Sequence, residues 1–487
     1  MTFIQALKSE LNTTTTENGA KAYNSTTNEC LDLYGSIGAC RTNLTHAERL
    51  FFNAYEQDPE TAVRILFYSR DIRGASQGER AVFRALMPKL AQKNPKVASR
   101  LVSLIPYYGR WDDLLCLEGT LVWTEVLETI KTQLNEDLNS EKVSLAAKWM
   151  PSINASSKES KRLGRLIADH MGWSERQYRK NLATLRAKIN IVETSMCKKD
   201  WSSIDYERLP SRAAMMYRNA FKKHDEDRYS EYLSRVENGE AKINTGTLFP
   251  YDIVNKYLYK GSTNDKTLEQ QWDALPDYME GLEFNGLVVA DVSYSMTWNG
   301  GMPMAVCLSL AVYIAERNQS EIWKNKFLTF SQSPTLETIL GNTIEEKIRH
   351  ILKSDPGGNT DLMATFKVIL DSATSNNVAA NDMPQKLIIV SDMQFDQACR
   401  SNKRTNFEQI QKLYRKAGYE MPELVFWNVN ASANVPIQAD DTGTALVSGC
   451  SPAILKSVLS GKIISPVEVM MNSLYVERYD PIGLAFA

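Results

Sequence analysis

At 487 residues and 55.0 kDa the chain is long enough for two or three domains. With 43% hydrophobic and 23% charged residues it reads as a soluble globular protein. The 56 Lys+Arg nearly cancel the 58 Asp+Glu, which excludes both a uniformly basic coat for nucleic acid and an acidic tail. No apolar run reaches the ~20 residues of a bilayer crossing, and MTFIQALKSELN is too often interrupted by polar residues for a secretory signal. No membrane partner is expected. The seven cysteines (Cys30, Cys40, Cys116, Cys197, Cys307, Cys399, Cys450) are dispersed and form no CxxC pair. They point to reduced thiols and a cytoplasmic location.

In chain order, residues 1–45 are polar, with a Thr13–Thr16 run, and read as an arm that packs late or only when docked. Residues 46–280 read as a helical domain. One helix opens after Asp58-Pro59 and stops near Gly74; a second, roughly Glu79 to Gln92, carries Val82, Phe83, Leu86 and Leu90 as one apolar stripe. Further helical stretches follow near 96–105, 121–138, 143–149, 158–171 and 174–192, joined by short turns, as in an α-solenoid. Residues 281–487 change grammar. Continuous apolar runs at 286–290, 326–330, 386–390, 424–429 and 444–447 alternate with helical stretches such as 303–317 and 405–417. Such runs predict strands buried on both faces, hence a doubly wound α/β domain with ligands at the carboxyl ends of the strands.

Directly after the first of these strands comes Asp291-Val292-Ser293-Tyr294-Ser295, three oxygen donors at alternate positions. Gly357-Gly358-Asn359-Thr360-Asp361 adds a hydroxyl and an acid before a helix, and Asp392 follows the 386–390 strand. Hard oxygen donors at strand ends suit Mg²⁺ or another divalent cation that keeps waters. A Ser-rich turn is the plainer reading of the first string alone. The combination resembles the metal-ion-dependent adhesion site (MIDAS) of von Willebrand factor A (vWA) domains. That resemblance implies Asp291, Ser293, Ser295, Thr360 and Asp392 as ligands, a Rossmann-like fold, and a binding module in which the ion bridges to a partner's carboxylate.

The helical half hides a charge asymmetry: residues 141–223 hold 18 Lys+Arg and 8 Asp+Glu. Lys158, Lys161, Arg162 and Arg165 recur at three- and four-residue steps and so share one helix face. His170, Arg176, Arg179, Lys180, Arg186 and Lys188 come next, with Trp173 and Tyr178 near enough in sequence for stacking. The stripe is a candidate track for a phosphate backbone, or else a solvated helix face. Arg70, Asp71 and Arg73, and Arg110, Asp112 and Asp113, instead read as Arg–carboxylate pairs that fix turns between helices.

The strings TENGAKAYNST, LFYSRDIRG, YYGRWDDLL, LAAKWMPS and YRKNLATLRAKINIVE resemble the TROVE module of the Ro autoantigen family, in a branch where a TROVE-like region precedes a vWA domain. The resemblance implies HEAT-like helical repeats in a ring or curved solenoid. It also implies a non-catalytic ribonucleoprotein that takes single-stranded RNA ends and small non-coding RNA. Two other classes compete. One is a scaffold that grips a protein partner through the metal site without RNA. The other is a nuclease or phosphatase drawing on Asp291, Asp392, Asp355, Asp361 and Asp396, although no His or Lys general base accompanies them.

Overall fold

The computed structural model describes residues 11–74, 76–282, 284–330, 334–354, 361–395, 406–430 and 434–487. Two compact units emerge, and both are discontinuous in sequence: residues 1–69, 75–79 and 248–477 form one, and residues 70–74, 80–247 and 478–487 form the other.

The first unit opens with a hairpin of β1 (Thr13–Thr15) and β2 (Lys21–Tyr23). Next come helices α1 (Glu29–Ile37), α2 (Leu44–Gln57) and α3 (Pro59–Arg70). The chain then builds the second unit: α4 (Ala81–Lys93), α5 (Pro95–Leu101), α6 (Trp123–Asn139), α7 (Lys158–His170), α8 (Glu175–Ile189), α9 (Ser211–His224) and α10 (Glu226–Glu237). It returns to the first unit with α11 (Pro250–Tyr259) and α12 (Lys266–Asp273), before the sheet and its helices.

The second unit is helical throughout its described residues, and its apolar stripe lies where the spacing puts it. Val82, Phe83, Leu86 and Leu90 are all buried. A separate aromatic cluster, built on Tyr206, Phe221, Tyr229 and Tyr232, closes the stretch around α9 and α10. No helix among the described residues is long and apolar enough to cross a membrane.

In the first unit, β3 (Gly286–Ala290), β4 (Lys326–Thr329), β5 (Leu336–Thr338), β6 (Lys386–Ser391), β7 (Glu423–Asn428) and β8 (Thr444–Ser448) form one sheet in the order β5-β4-β3-β6-β7-β8. Only β5 runs antiparallel. Helices α13 (Met302–Arg317), α14 (Ile344–Ser354), α15 (Leu362–Ser375), α16 (Asn406–Ala417) and α17 (Pro466–Leu474) complete the fold. The central strands β3 and β6 are buried along their whole length, as continuous apolar runs require. Because β3 continues to β4 on one side and borders β6 on the other, its carboxyl end lies at a topological switch point. Adjacent strand ends splay apart there and leave a crevice.

The compact units divide the chain elsewhere than the boundaries expected after residues 45 and 280. Residues 11–69 are part of the sheet-bearing unit and not a loose arm. Asn28 caps α1 by accepting from Leu31 N, and eight of its nine residues, from Cys30 to Ile37, are buried. Ser448 Oγ accepts from Gly38 N (3.0 Å) and donates to Tyr34 O (3.1 Å), which locks α1 against β8. β2 is tied in as well, through reciprocal bonds between Tyr23 and Val435. Residues 248–280 likewise stay with the sheet, where α11 packs on α13.

The approach of α1 to β8 depends on glycine. A Cβ on Gly38 would stand 2.8 Å from Gly449 Cα and from the carbonyl of Ser448, all backbone atoms that cannot swing aside. Gly38→Ala is therefore expected to lower stability by about 1–3 kcal/mol, the usual range for overpacking. A denaturant midpoint unchanged from wild type would show that the helix can shift at no cost.

Candidate metal centre and basic helical face

The carboxyl ends of β3 and β6 sit side by side because Ala290 pairs with Val390. Asp291 and Ser391 therefore follow in register, and Asp291 N donates to Val390 O (3.1 Å). Asp291 is fully buried. Its Oδ1 accepts from Ser293 N (3.0 Å) and its Oδ2 from Ser391 Oγ (2.6 Å). Ser293 Oγ lies 3.0 Å from Ser295 Oγ, and Ser295 in turn hydrogen-bonds Asp392. Asp392 Oδ1 also accepts from Gln394 N (3.2 Å), across a turn in which Met393 adopts a left-handed φ of 66°. Four predicted ligands thus converge: Asp291, Ser293, Ser295 and Asp392. The fifth, Thr360, lies outside the described residues, as do Gly357–Asn359, Asp355 and Asp396.

Burial and the neighbouring Asp392 charge push the Asp291 carboxyl up to about 7. Burial also raises Asp392, against hydrogen bonds from Ser295 and Gln394 that favour its ionised form. Two buried acids sharing one crevice disfavour full ionisation unless a cation enters. The donors are all oxygens, two carboxylates among hydroxyls, a set that fits Mg²⁺ better than a thiol- or imidazole-seeking metal. Among the described residues no three His, Cys, Asp or Glu side chains form a metal-holding group, so the site depends on its serines. Asp361 serves elsewhere, capping α15 by accepting from Ala364 N (2.8 Å).

A cavity of about 570 Å³ opens beside the centre. Thr16, Glu17, Asn24, Ser295, Trp298 and Asp392 are among its lining residues, and among the described residues no Lys, Arg or His is. Two contributors go unnoticed in the sequence. Ser391, which fixes Asp291, is flagged only by its place between an apolar run and Asp392. Glu17 comes from the opposite end of the chain, with no local signal at all.

In the helical unit, α7 and α8 start at Ser157 and Ser174, whose side chains cap them by accepting from Ser160 N and Gln177 N. Their cations are not the free stripe that spacing suggests. Arg162 is paired with Glu118 and Glu159, Arg165 with Glu175 at 2.8 Å, and His170 with Glu128 at 2.8 Å. Lys188 Nζ donates to Ser140 O (2.8 Å) and Arg179 Nε to Glu175 O (3.4 Å). Tyr178 is buried and donates to Pro151 O (2.9 Å), so it is no stacking platform. Lys158, Arg176 and Lys180 are exposed and Lys161 half-buried, with no ion pair among the described residues. These four are the stripe's unengaged cations.

Arg186 is structural. It donates to Ala147 O (2.9 Å), Ser152 Oγ (3.0 Å) and Met150 O (2.8 Å), stapling α8 to the segment after α6. Arg186→Ala is expected to cost about 2–3 kcal/mol by stranding those carbonyls. Thermal denaturation checks this, and a melting point matching wild type would contradict it. Arg73 is similarly occupied, donating to the carbonyls of Pro106, Tyr107 and Gly109. Arg110 bonds Asp112 and stacks over Trp149, 3.7 Å from the ring centroid.

Residues 16–115 and 120–281 match the family model described as domain of unknown function DUF2828, and residues 285–478 match domain of unknown function DUF7788. The chain is 30% identical over 513 residues to "Uncharacterized protein L728" of Acanthamoeba polyphaga mimivirus, covering 96% of this chain and 88% of that relative. Among solved structures it is similar to the Deinococcus radiodurans RO (RSR) protein, at 12% identity and a TM-score of 0.38, across 91% of this chain and 92% of that one.

Proposed function

This chain belongs to the DUF2828 family, and from its geometry we propose a non-catalytic RNA-binding protein whose α/β unit carries Mg²⁺. The observation that carries the RNA reading is the surplus of 18 Lys+Arg over 8 Asp+Glu in residues 141–223, of which Lys158, Lys161, Arg176 and Lys180 stay unengaged on α7 and α8. Phosphates would be neutralised there without reading sequence, which suits single-stranded ends and small non-coding RNA. The resemblance of the helical strings to the TROVE module points the same way. In the α/β unit, Asp291, Ser293, Ser295 and Asp392 would hold the ion. Bound there, it supplies a positive charge at the strand ends to which an acidic group can attach.

The test is RNA binding by the full chain, read by fluorescence anisotropy of a labelled single-stranded oligonucleotide across a salt series. Changing Lys158, Lys161, Arg176 and Lys180 together to Glu is expected to weaken binding at least tenfold. The salt slope should flatten by about 0.7 for each phosphate that is no longer neutralised. An unchanged slope removes the reading.

The pairing of Arg162, Arg165 and His170 with carboxylates favours a second reading, a metal-dependent protein scaffold without RNA. A complex from cell extract that survives nuclease and falls apart in EDTA would support it.

A further inference from the structure

The turn of the N-terminal hairpin reaches the metal pocket. Thr16 Oγ1 donates to Phe395 O (2.5 Å), Glu17 N to Gln394 Oε1 (2.9 Å), and Asn18 Nδ2 to Gln394 O (2.7 Å). Residues 16–18 are thereby fastened to the segment that carries Asp392. The Glu17 side chain is exposed and lines the same cavity as Ser295 and Asp392. Its charge is one of the influences that raise Asp392, after burial. Among the described residues the lining holds two carboxylates, Glu17 and Asp392, and no Lys, Arg or His, which suits a divalent ion.

We propose that Glu17 is a further ligand of the metal centre, directly or through a bound water, so that the cation ties the N-terminal hairpin to the carboxyl edge of the sheet. The proposal rests on the metal reading of Asp291, Ser293, Ser295 and Asp392. It accommodates the lack of a close acidic trio among the described residues: a long exposed glutamate closes the remaining gap by rotation about its own bonds or through water. Ligand charge sets the affinity of hard cations, so a third carboxylate makes the site tighter than two acids and hydroxyls alone. It also occupies the position that a partner's acid would take. An acidic partner then has to displace Glu17.

The experiment compares wild-type full chain, Glu17→Gln and Asp291→Ala. Mn²⁺ binding is read by electron paramagnetic resonance, and hydrogen exchange of residues 13–23 is read with and without Mg²⁺. Glu17→Gln is expected to bind Mn²⁺ about tenfold more weakly, and Mg²⁺ is expected to slow hairpin exchange in wild type but not in this variant. Glu17→Asp, which keeps the charge, should recover part of the affinity. Equal Mn²⁺ affinity and equal hairpin protection in wild type and Glu17→Gln overturn the proposal and leave the metal reading standing. A wild type that binds no Mn²⁺, or an Asp291→Ala variant that binds as well as wild type, overturns both.

Discussion

Asp113→Ala is expected to destabilise the helical unit by about 3–5 kcal/mol, the loss typical of stranding a buried charge. The Asp113 side chain is wholly buried and accepts from three directions: Arg70 Nε (2.8 Å), Arg84 Nε (2.6 Å) and the backbone N of Arg110 (2.8 Å). Its chief partner, Arg70, is almost as buried, and burial holds that guanidinium below its usual pKa even beside an acid. Removing the carboxylate leaves a charge that water cannot reach. Asp113→Asn should cost less, because the amide oxygen still accepts one bond. The double variant Arg70→Met with Asp113→Leu should recover much of the loss, since buried ion pairs are often replaceable by apolar residues of similar volume. Chemical denaturation of the three variants checks the order. If Asp113→Ala lies within about 1 kcal/mol of wild type, below the cost of breaking a buried pair, the network holds nothing together.

That these Arg and Asp residues at helix ends are buried partners of carboxylates and guanidiniums is legible from the local strings. Which partner each takes is not: Asp113 draws Arg70 and Arg84 from 43 and 29 residues away. The strands and the Asp291-Ser293-Ser295 exit are legible for a related reason: a parallel sheet buries unbroken apolar runs and places the next residues at its ligand edge. Long-range partners are not legible. The helix-face spacing of Arg162 and His170 holds in the structure, yet Glu118 and Glu128 approach from 44 and 42 residues away and take them as partners. Averaged over its length, the Asn- and Thr-rich N-terminus looks unable to pack. That average conceals Leu31, Leu33, Tyr34 and Ile37, all of them buried in α1. Helical periodicity likewise cannot tell which compact unit a helix joins, so α3 and α11 pack with the sheet without any local signal of it.

Asp291→Asn is expected to raise the stability of the metal-free protein and to abolish its response to Mg²⁺. The sign comes from the carboxyl's folded-state pKa of about 7, well above the ordinary 3.8 because of burial and the adjacent Asp392. Between those two values the folded chain holds a proton that the unfolded chain has released. Stability in EDTA should therefore fall as pH rises through the window and level off above 7. Each unit of displacement is worth about 1.4 kcal/mol, so the whole span amounts to a few kcal/mol. Asparagine carries no charge to bury. It still accepts from Ser293 N through Oδ1 and meets the Ser391 hydroxyl with its amide, so the variant should melt higher than wild type in EDTA near pH 7.5, with a flatter pH profile. Mg²⁺ at a hundred times its Kd should add about 2.7 kcal/mol to wild type and little to the variant, which narrows the gap between them. Differential scanning calorimetry at pH 5 and pH 7.5, with EDTA and with Mg²⁺, reads all four states. Parallel pH profiles for the two proteins in EDTA, or the same Mg²⁺ shift in both, would mean that Asp291 is an ordinary buried acid held by its serines.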